Sequence, residues 1–282
     1  MKFILKIARR HRKKLALIYF LLIVGEALHV CEPFILGKAV DGLLNGEYQY
    51  LGVLALIFLS YSFFTYKRMV YDTKTYTQIN NDIIFSYLDK NPKASVSSKS
   101  ARTDLSSNIV DFLEHDIHYY CYALITTFGS LYFVFILDHL TALFLMTSVF
   151  PISLIVFIFF AKIRQATVLT HTHSESKLNS FKDNDRDSMF NFFKRLRKLL
   201  IFQSTIQGKN WASLQTTKTV FIVISLVIFT RDSVGLTQGQ IIAAYIYIVN
   251  FVNSLMSLPI AVENITRVTD VIKRLRTVEP NK

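Results

Sequence analysis

Glycine is scarce in this sequence, nine residues in 282, and nowhere do its glycines form a Gly-x-x-x-x-Gly-Lys-[Ser/Thr] loop. That loop gathers backbone N–H groups around nucleotide phosphates. ATP hydrolysis by these residues is therefore not expected, no cofactor is assigned to the chain, and it is not read as an enzyme. Gly-x-Ser-x-Gly and His-Glu-x-x-His are absent too, so hydrolase readings have no support. The two cysteines, Cys31 and Cys121, lie in apolar or aromatic stretches and form no Cys-x-x-Cys pair. Neither a disulfide framework nor structural zinc is indicated. Acids are outnumbered, 20 Asp and Glu against 32 Lys and Arg, for a net charge of +12. Those cations lie between apolar segments rather than in one patch, which fits the positive-inside rule and excludes nucleic acid as the expected partner. Internal repeats, Gly/Ser linkers and low-complexity tracts are also missing, so one integral domain is the economical reading.

What the chain does carry is apolar bulk: 51% hydrophobic residues, mean hydropathy +0.34, 24 Phe and 14 Tyr. A bilayer is its expected solvent. Residues 1–14 hold seven Lys or Arg and no acid, a basic segment expected to stay in the cytoplasm against the inner leaflet. The apolar run that follows lasts about 30 residues without a small-residue cleavage site, so it reads as a spanning helix rather than a signal peptide. Six spans are expected, at about 15–44, 50–71, 121–137, 142–161, 211–229 and 240–262, with a short tail at 280–282. Beyond the second span Ile79, Ile83, Ile84 and Leu88 keep helical spacing among polar residues, so that helix continues out of the membrane. Pro92 and the serine-rich stretch 95–100 break it, and 104–122 leads back into the third span. Residues 162–209 are polar and basic, and read as a second pair of helical extensions. The loops on one side hold most of the cations, whereas the other side contributes little beyond Lys38 and Arg231; both termini are therefore expected in the cytoplasm.

Two patterns are specific. The first span contains Pro33-x-x-x-Gly37-x-x-x-Asp41, and the last opens with Gly235-Leu236-Thr237-Gln238-Gly239 and leaves as the amphipathic stretch Glu263 to Arg276. Together with the very short connection Asp138 to Leu143 and Pro151 in the fourth span, they resemble the transmembrane domain of ATP-binding-cassette exporters, over about Leu15 to Glu279. The resemblance implies an all-α membrane protein: six transmembrane helices with long cytoplasmic extensions in the ABC exporter transmembrane-domain fold, with 15–279 as one domain. It implies that Pro33 bends the first helix, that Gly37, Gly235 and Gly239 serve turns or close approach, and that Asp41 sits at the outer mouth. Coupling segments are implied around Ser100, Arg102 and Asp104, and around Phe192, Phe193, Lys194 and Arg195. The function implied is that of the permease subunit of an exporter, forming a dimeric alternating-access pathway in the bacterial cytoplasmic membrane. Its partners would be a second transmembrane protomer, homo- or heteromeric, and a separate nucleotide-binding subunit that supplies ATP and Mg. The alternative is a stand-alone member without an ATPase, acting as a proton- or ion-coupled transporter or as a membrane scaffold.

Glu26, His29 and Glu32 recur at i, i+3 and i+6 within the first span and share a broad helix face. A charge in mid-membrane costs about 2.5–3.5 kcal/mol on insertion scales, so such residues either line a water-filled pathway or are paired or protonated in place. The exporter resemblance makes Glu26 the stronger pathway candidate. His115, His118 and Cys121 share the same spacing, which a metal could use if another helix supplied ligands, but Tyr119, Tyr120 and Tyr122 mark an interfacial aromatic belt instead. No metal is assigned.

Overall fold

The computed structural model describes residues 9–90, 92, 103, 107, 110–175, 186–231 and 235–257, and every regular element among them is helical. In order these are α1 (Arg12–Leu44), α2 (Gln49–Lys90), a π-helical turn (Phe112–Asp116) leading into α3 (Ile117–Leu137), α4 (His139–Thr147), α5 (Val149–Glu175), α6 (Arg186–Thr230) and α7 (Gln238–Leu255). Among the described residues five stretches are long and apolar enough to cross a membrane: Arg12–Leu44, Gln49–Ser86, Phe112–Leu137, His139–Thr170 and Met189–Thr230. The sixth expected span begins in α7, and its continuation beyond Ser257 lies outside the described residues. Lipid offers no partner to backbone N–H and C=O groups, so a chain this apolar must satisfy them within helices. The protein is an all-α membrane protein.

Local chemistry sets the helix ends. At the end of α1, Glu47 N–H donates to Gly42 C=O at 2.8 Å and Gly46 N–H to Leu43 C=O at 3.3 Å, with Gly46 at φ +76°. This is a Schellman stop, and it needs a residue that tolerates the left-handed region. Asp138, in extended conformation, ends α3 and caps α4 by accepting Thr141 N–H at 2.7 Å. Between α4 and α5, near Pro151, Thr147 and Ser148 hydroxyls donate to the carbonyls of Phe144 and Leu145, each at 2.6 Å. Carbonyls near a proline interruption thus find side-chain donors inside the apolar segment.

The chain forms two compact units, Met1–Ala142 with Ile228–Lys282, and Leu143–Val227. In the first, α1 and α2 run as a hairpin with α3 and α7 packed on α1. Ile18, Tyr76, Ile79, Val110 and Leu113 form a buried cluster there, flanked by Leu15, Ile83 and Ile117. Next to that cluster His11 lies 3.2 Å from Asp82 and Lys14 hydrogen-bonds Gln78. The second unit contains α5 and most of α6. His173 stacks on Phe192 at 4.5 Å between ring centroids, Gln203 donates to Thr167 at 3.4 Å, and Phe144 stacks on Phe221 at 5.2 Å.

Candidate functional site

The two sequence patterns meet in the first unit. Thr237 starts α7 with a capping box: its hydroxyl accepts Gln240 N–H at 3.2 Å, and Gln240 Oε1 accepts Thr237 N–H at 3.0 Å. Asp41 of α1 completes this start from across the interface, accepting the Thr237 hydroxyl at 2.6 Å and Gly239 N–H at 2.8 Å. An anion is well placed there, because the first N–H groups of a helix have no partner within it and carry the positive end of its dipole. Gly37 and Gly239 lie back to back. A Cβ on Gly37 would sit 2.5 Å from the Gly239 carbonyl oxygen, and one on Gly239 would collide with the Gly37 carbonyl. Small residues that admit such close approach are how helices associate in lipid. One to two turns earlier in α1, and deeper in α7, the Tyr247 hydroxyl donates to Val30 C=O at 2.8 Å and accepts Phe34 N–H at 3.1 Å. Phe133 of α3 stacks on the Tyr247 ring at 4.8 Å, and Thr127 of α3 meets Ser254 of α7 at 2.6 Å.

Nearer the start of α1, charges gather within the spanning segments. Glu26 is only 5% exposed. Its Oε1 lies 4.0 Å from Nη1 of Arg68 on α2, Arg68 Nε lies 3.7 Å from Asp72 Oδ2, and Arg68 Nη1 lies 2.6 Å from Nε2 of His118 on α3. One guanidinium thus joins three helices. The second oxygens, Glu26 Oε2 and Asp72 Oδ1, are buried without a hydrogen-bond partner. Opposite charges are expected to pair in this way inside a bilayer, where an isolated ion is far more costly than a paired one. His29 and Glu32 form a separate pair, with Nδ1 3.1 Å from Oε2, and the His29 ring stacks between Tyr61 and Tyr122 at 5.6 and 6.3 Å. The helix face that carries Glu26, His29 and Glu32 is therefore divided into two groups, one buried around Arg68 and one half-exposed beside tyrosines.

Of the candidate coupling residues, Ser100, Arg102 and Asp104 lie outside the described residues, as do Pro259 and the basic stretch from Glu263 to Arg276. Phe192, Phe193, Lys194 and Arg195 stand in the first turns of α6, continuous with the rest of that helix. Phe192 is buried against His173, and Lys194 and Arg195 are exposed.

Three side chains of this candidate site escaped sequence reasoning. Arg68 lies at the end of the second expected span, 50–71, and Asp72 opens its polar continuation, positions that single out neither. A sequence signal did exist: a cation near the end of one apolar helix and an acid within another are natural mates. Tyr247 lies in the apolar run of the last expected span, and nothing local to it reveals that its hydroxyl reaches the backbone around Pro33.

Comparison with curated proteins finds no match for this chain. Residues 4–239 match a known family, and they include the whole of α1 with Pro33, Gly37 and Asp41 as well as the Thr237–Gly239 start of α7 that Asp41 caps. The chain belongs to the ABC transporter transmembrane region family and is an integral membrane component of a transport system.

Proposed function

We propose that this chain is the permease subunit of an ABC-type exporter: two protomers enclose an alternating-access pathway, driven by ATP and Mg on a nucleotide-binding subunit outside these 282 residues. The observation that carries this reading is the length of α6, 45 residues in one helix. At 1.5 Å per residue it extends over about 67 Å, whereas the hydrocarbon core takes only about 20 residues. With the span at about 211–229, Lys194 and Arg195 stand roughly 25 Å beyond the hydrocarbon along the helix axis, past the headgroup layer as well. A lipid surface is out of their reach, and a soluble acidic or aromatic-accepting partner is not. Both termini then lie on that partner's side, the cytoplasm, and the membrane is the bacterial cytoplasmic one. Glu26 with Arg68, and the separate pair His29 and Glu32, are the groups that a polar substrate or ion would meet. In the second unit Phe150, Phe157 and Trp211 are more than 60% exposed, apolar surface suited to lipid or to a second protomer. The test is reconstitution in nanodiscs with candidate ATPase subunits. Stable binding, and ATP-dependent change in the labelling of Glu32→Cys, is the expected result; absence of both would remove the reading.

The Arg68 cluster favours one other reading, ion coupling without an ATPase, because its two carboxylates outnumber its one fixed cation. Proteoliposomes holding a pH gradient without ATP would then lose it faster with the parent chain than with Glu26→Gln. Equal rates would dispose of this second reading.

A further inference from the structure

The hydroxyl of Tyr247 touches the two backbone groups that a regular α-helix pairs with each other, Val30 C=O and Phe34 N–H, which stand at i and i+4 on either side of Pro33. Proline removes one helix donor and pushes its ring against the carbonyl four residues back, so the ladder of α1 is weakest in this turn. In lipid the groups released by opening it must be taken up by protein. Tyr247 is fully buried, its ring is held parallel to Phe133 at 3° between planes, and Phe34 packs on Phe133 at 5.6 Å. The hydroxyl is therefore fixed where it can stand in for the rung.

Pro33 also divides α1 by its attachments. Before it, the helix is tied to α2: Glu26 to Arg68, His29 to Tyr61, Ile18 to Tyr76 and Ile79, Lys14 to Gln78. After it, the helix is tied to α7, through Gly37 on Gly239 and through Asp41 on Thr237 and Gly239, and meets α2 at its first turn, where Lys38 lies over the Tyr50 ring at 5.9 Å and Gly42 faces Tyr50. We infer that Tyr247 is a positioning residue that sets the angle of α1 at Pro33: with its hydroxyl inserted, the turn is held open and residues 34–44 travel with α7; with it withdrawn, Val30 and Phe34 pair directly and α1 straightens. This holds for the fold whether or not an ATPase drives it, so its failure would leave the exporter reading standing.

The test replaces Cys31 and Cys121 by alanine and places spin labels at Leu44 and Ile136, both more than half exposed at the ends of α1 and α3. The distance between them is measured by pulsed electron resonance. The arm beyond Pro33 is about 16 Å long, so a swing of about 20° moves its tip by about 5 Å. Tyr247→Phe keeps ring and volume and removes only the hydroxyl; it is expected to shift the distribution by that amount, toward the value given by Pro33→Ala. In the double variant Tyr247→Phe should add nothing to Pro33→Ala. A Tyr247→Phe distribution that superimposes on the parent's, or an equal shift that persists in the Pro33→Ala background, would overturn the inference. Should Tyr247→Phe fail to fold, Pro33→Ala with Tyr247 intact carries the test, and an unchanged distance there overturns it equally.

Discussion

The two compact units hold themselves together by different means. In Met1–Ala142 with Ile228–Lys282, polar groups reach from helix to helix at several levels: Asp41 to the start of α7, Tyr247 to the backbone of α1, Thr127 to Ser254, and Arg68 to Glu26 and His118. In Leu143–Val227 most of the hydroxyl bonds described stay within one helix, such as Thr170 to Ala166 and Thr205 to Ile201, and the links described between α5 and α6 include Gln203 to Thr167 and His173, whose Nε2 lies 3.1 Å from the Phe192 carbonyl and whose ring stacks on that of Phe192. Lipid is as apolar as leucine, so hydrophobic burial gives helices no reason to associate within it; close backbone approach and polar ties decide which ones do. By that measure the first unit has more polar ties between its helices, whereas the exposed features of the second are apolar surface and a basic helix start.

The sharpest way to break this contrast is at Arg68. Arg68→Leu leaves Glu26 and Asp72 buried without their cation, and removing one partner of a buried ion pair is expected to lower stability by about 3 kcal/mol. The same exchange at Arg164, exposed on α5, should change it by no more than about 0.5 kcal/mol. Thermal unfolding in detergent reads both. Similar losses at the two sites would mean that the cluster contributes nothing special to the first unit.

Glycine offers a second, smaller comparison. Gly239→Ala puts a Cβ into the Gly37 carbonyl and 2.7 Å from Asp41 Oδ2, so α1 and α7 must separate, at a cost of about 2 kcal/mol. Gly208 of α6 has nothing within 4 Å of such a Cβ, and Gly208→Ala should stabilise by about 0.5 kcal/mol through helix propensity alone. Opposite signs from one chemical change would place close packing in the first unit and its absence around Gly208.

The fold class was legible because a bilayer leaves so few options. Alternating apolar and cationic stretches, with five prolines and nine glycines, read as spanning helices before any contact is known. The motif residues were legible one at a time. Gly37 and Gly239 stood out, as did Asp41 and Thr237, but no period in the sequence says that residues about 200 apart will press backbone to backbone. Arg68 and Tyr247 show why the candidate site was harder. Each acts through one polar tip at the end of a side chain that otherwise fits its apolar helix, and the partner lies on another helix. Pairing of this kind is decided by tertiary packing, and local propensity carries no trace of it.

The smallest expected change in stability is the one that reaches furthest into function. Lys194 and Arg195 are exposed in the first turns of α6, so the double change Lys194→Glu, Arg195→Glu should leave unfolding within about 0.5 kcal/mol of the parent. If the second unit's basic start meets a soluble ATPase, reversing two charges turns attraction into repulsion, and like charges facing one another across an interface cost several kcal/mol. Binding of the ATPase subunit should then fall by at least a hundredfold at low salt and recover in part as salt is raised, since screening weakens repulsion between exposed charges. A partner whose affinity ignores both the reversal and the salt would have to grip some other surface. The exposed cations of α6 would then be only the solvated end of a long helix, and the contrast between the two units would rest on polar ties and apolar surface alone.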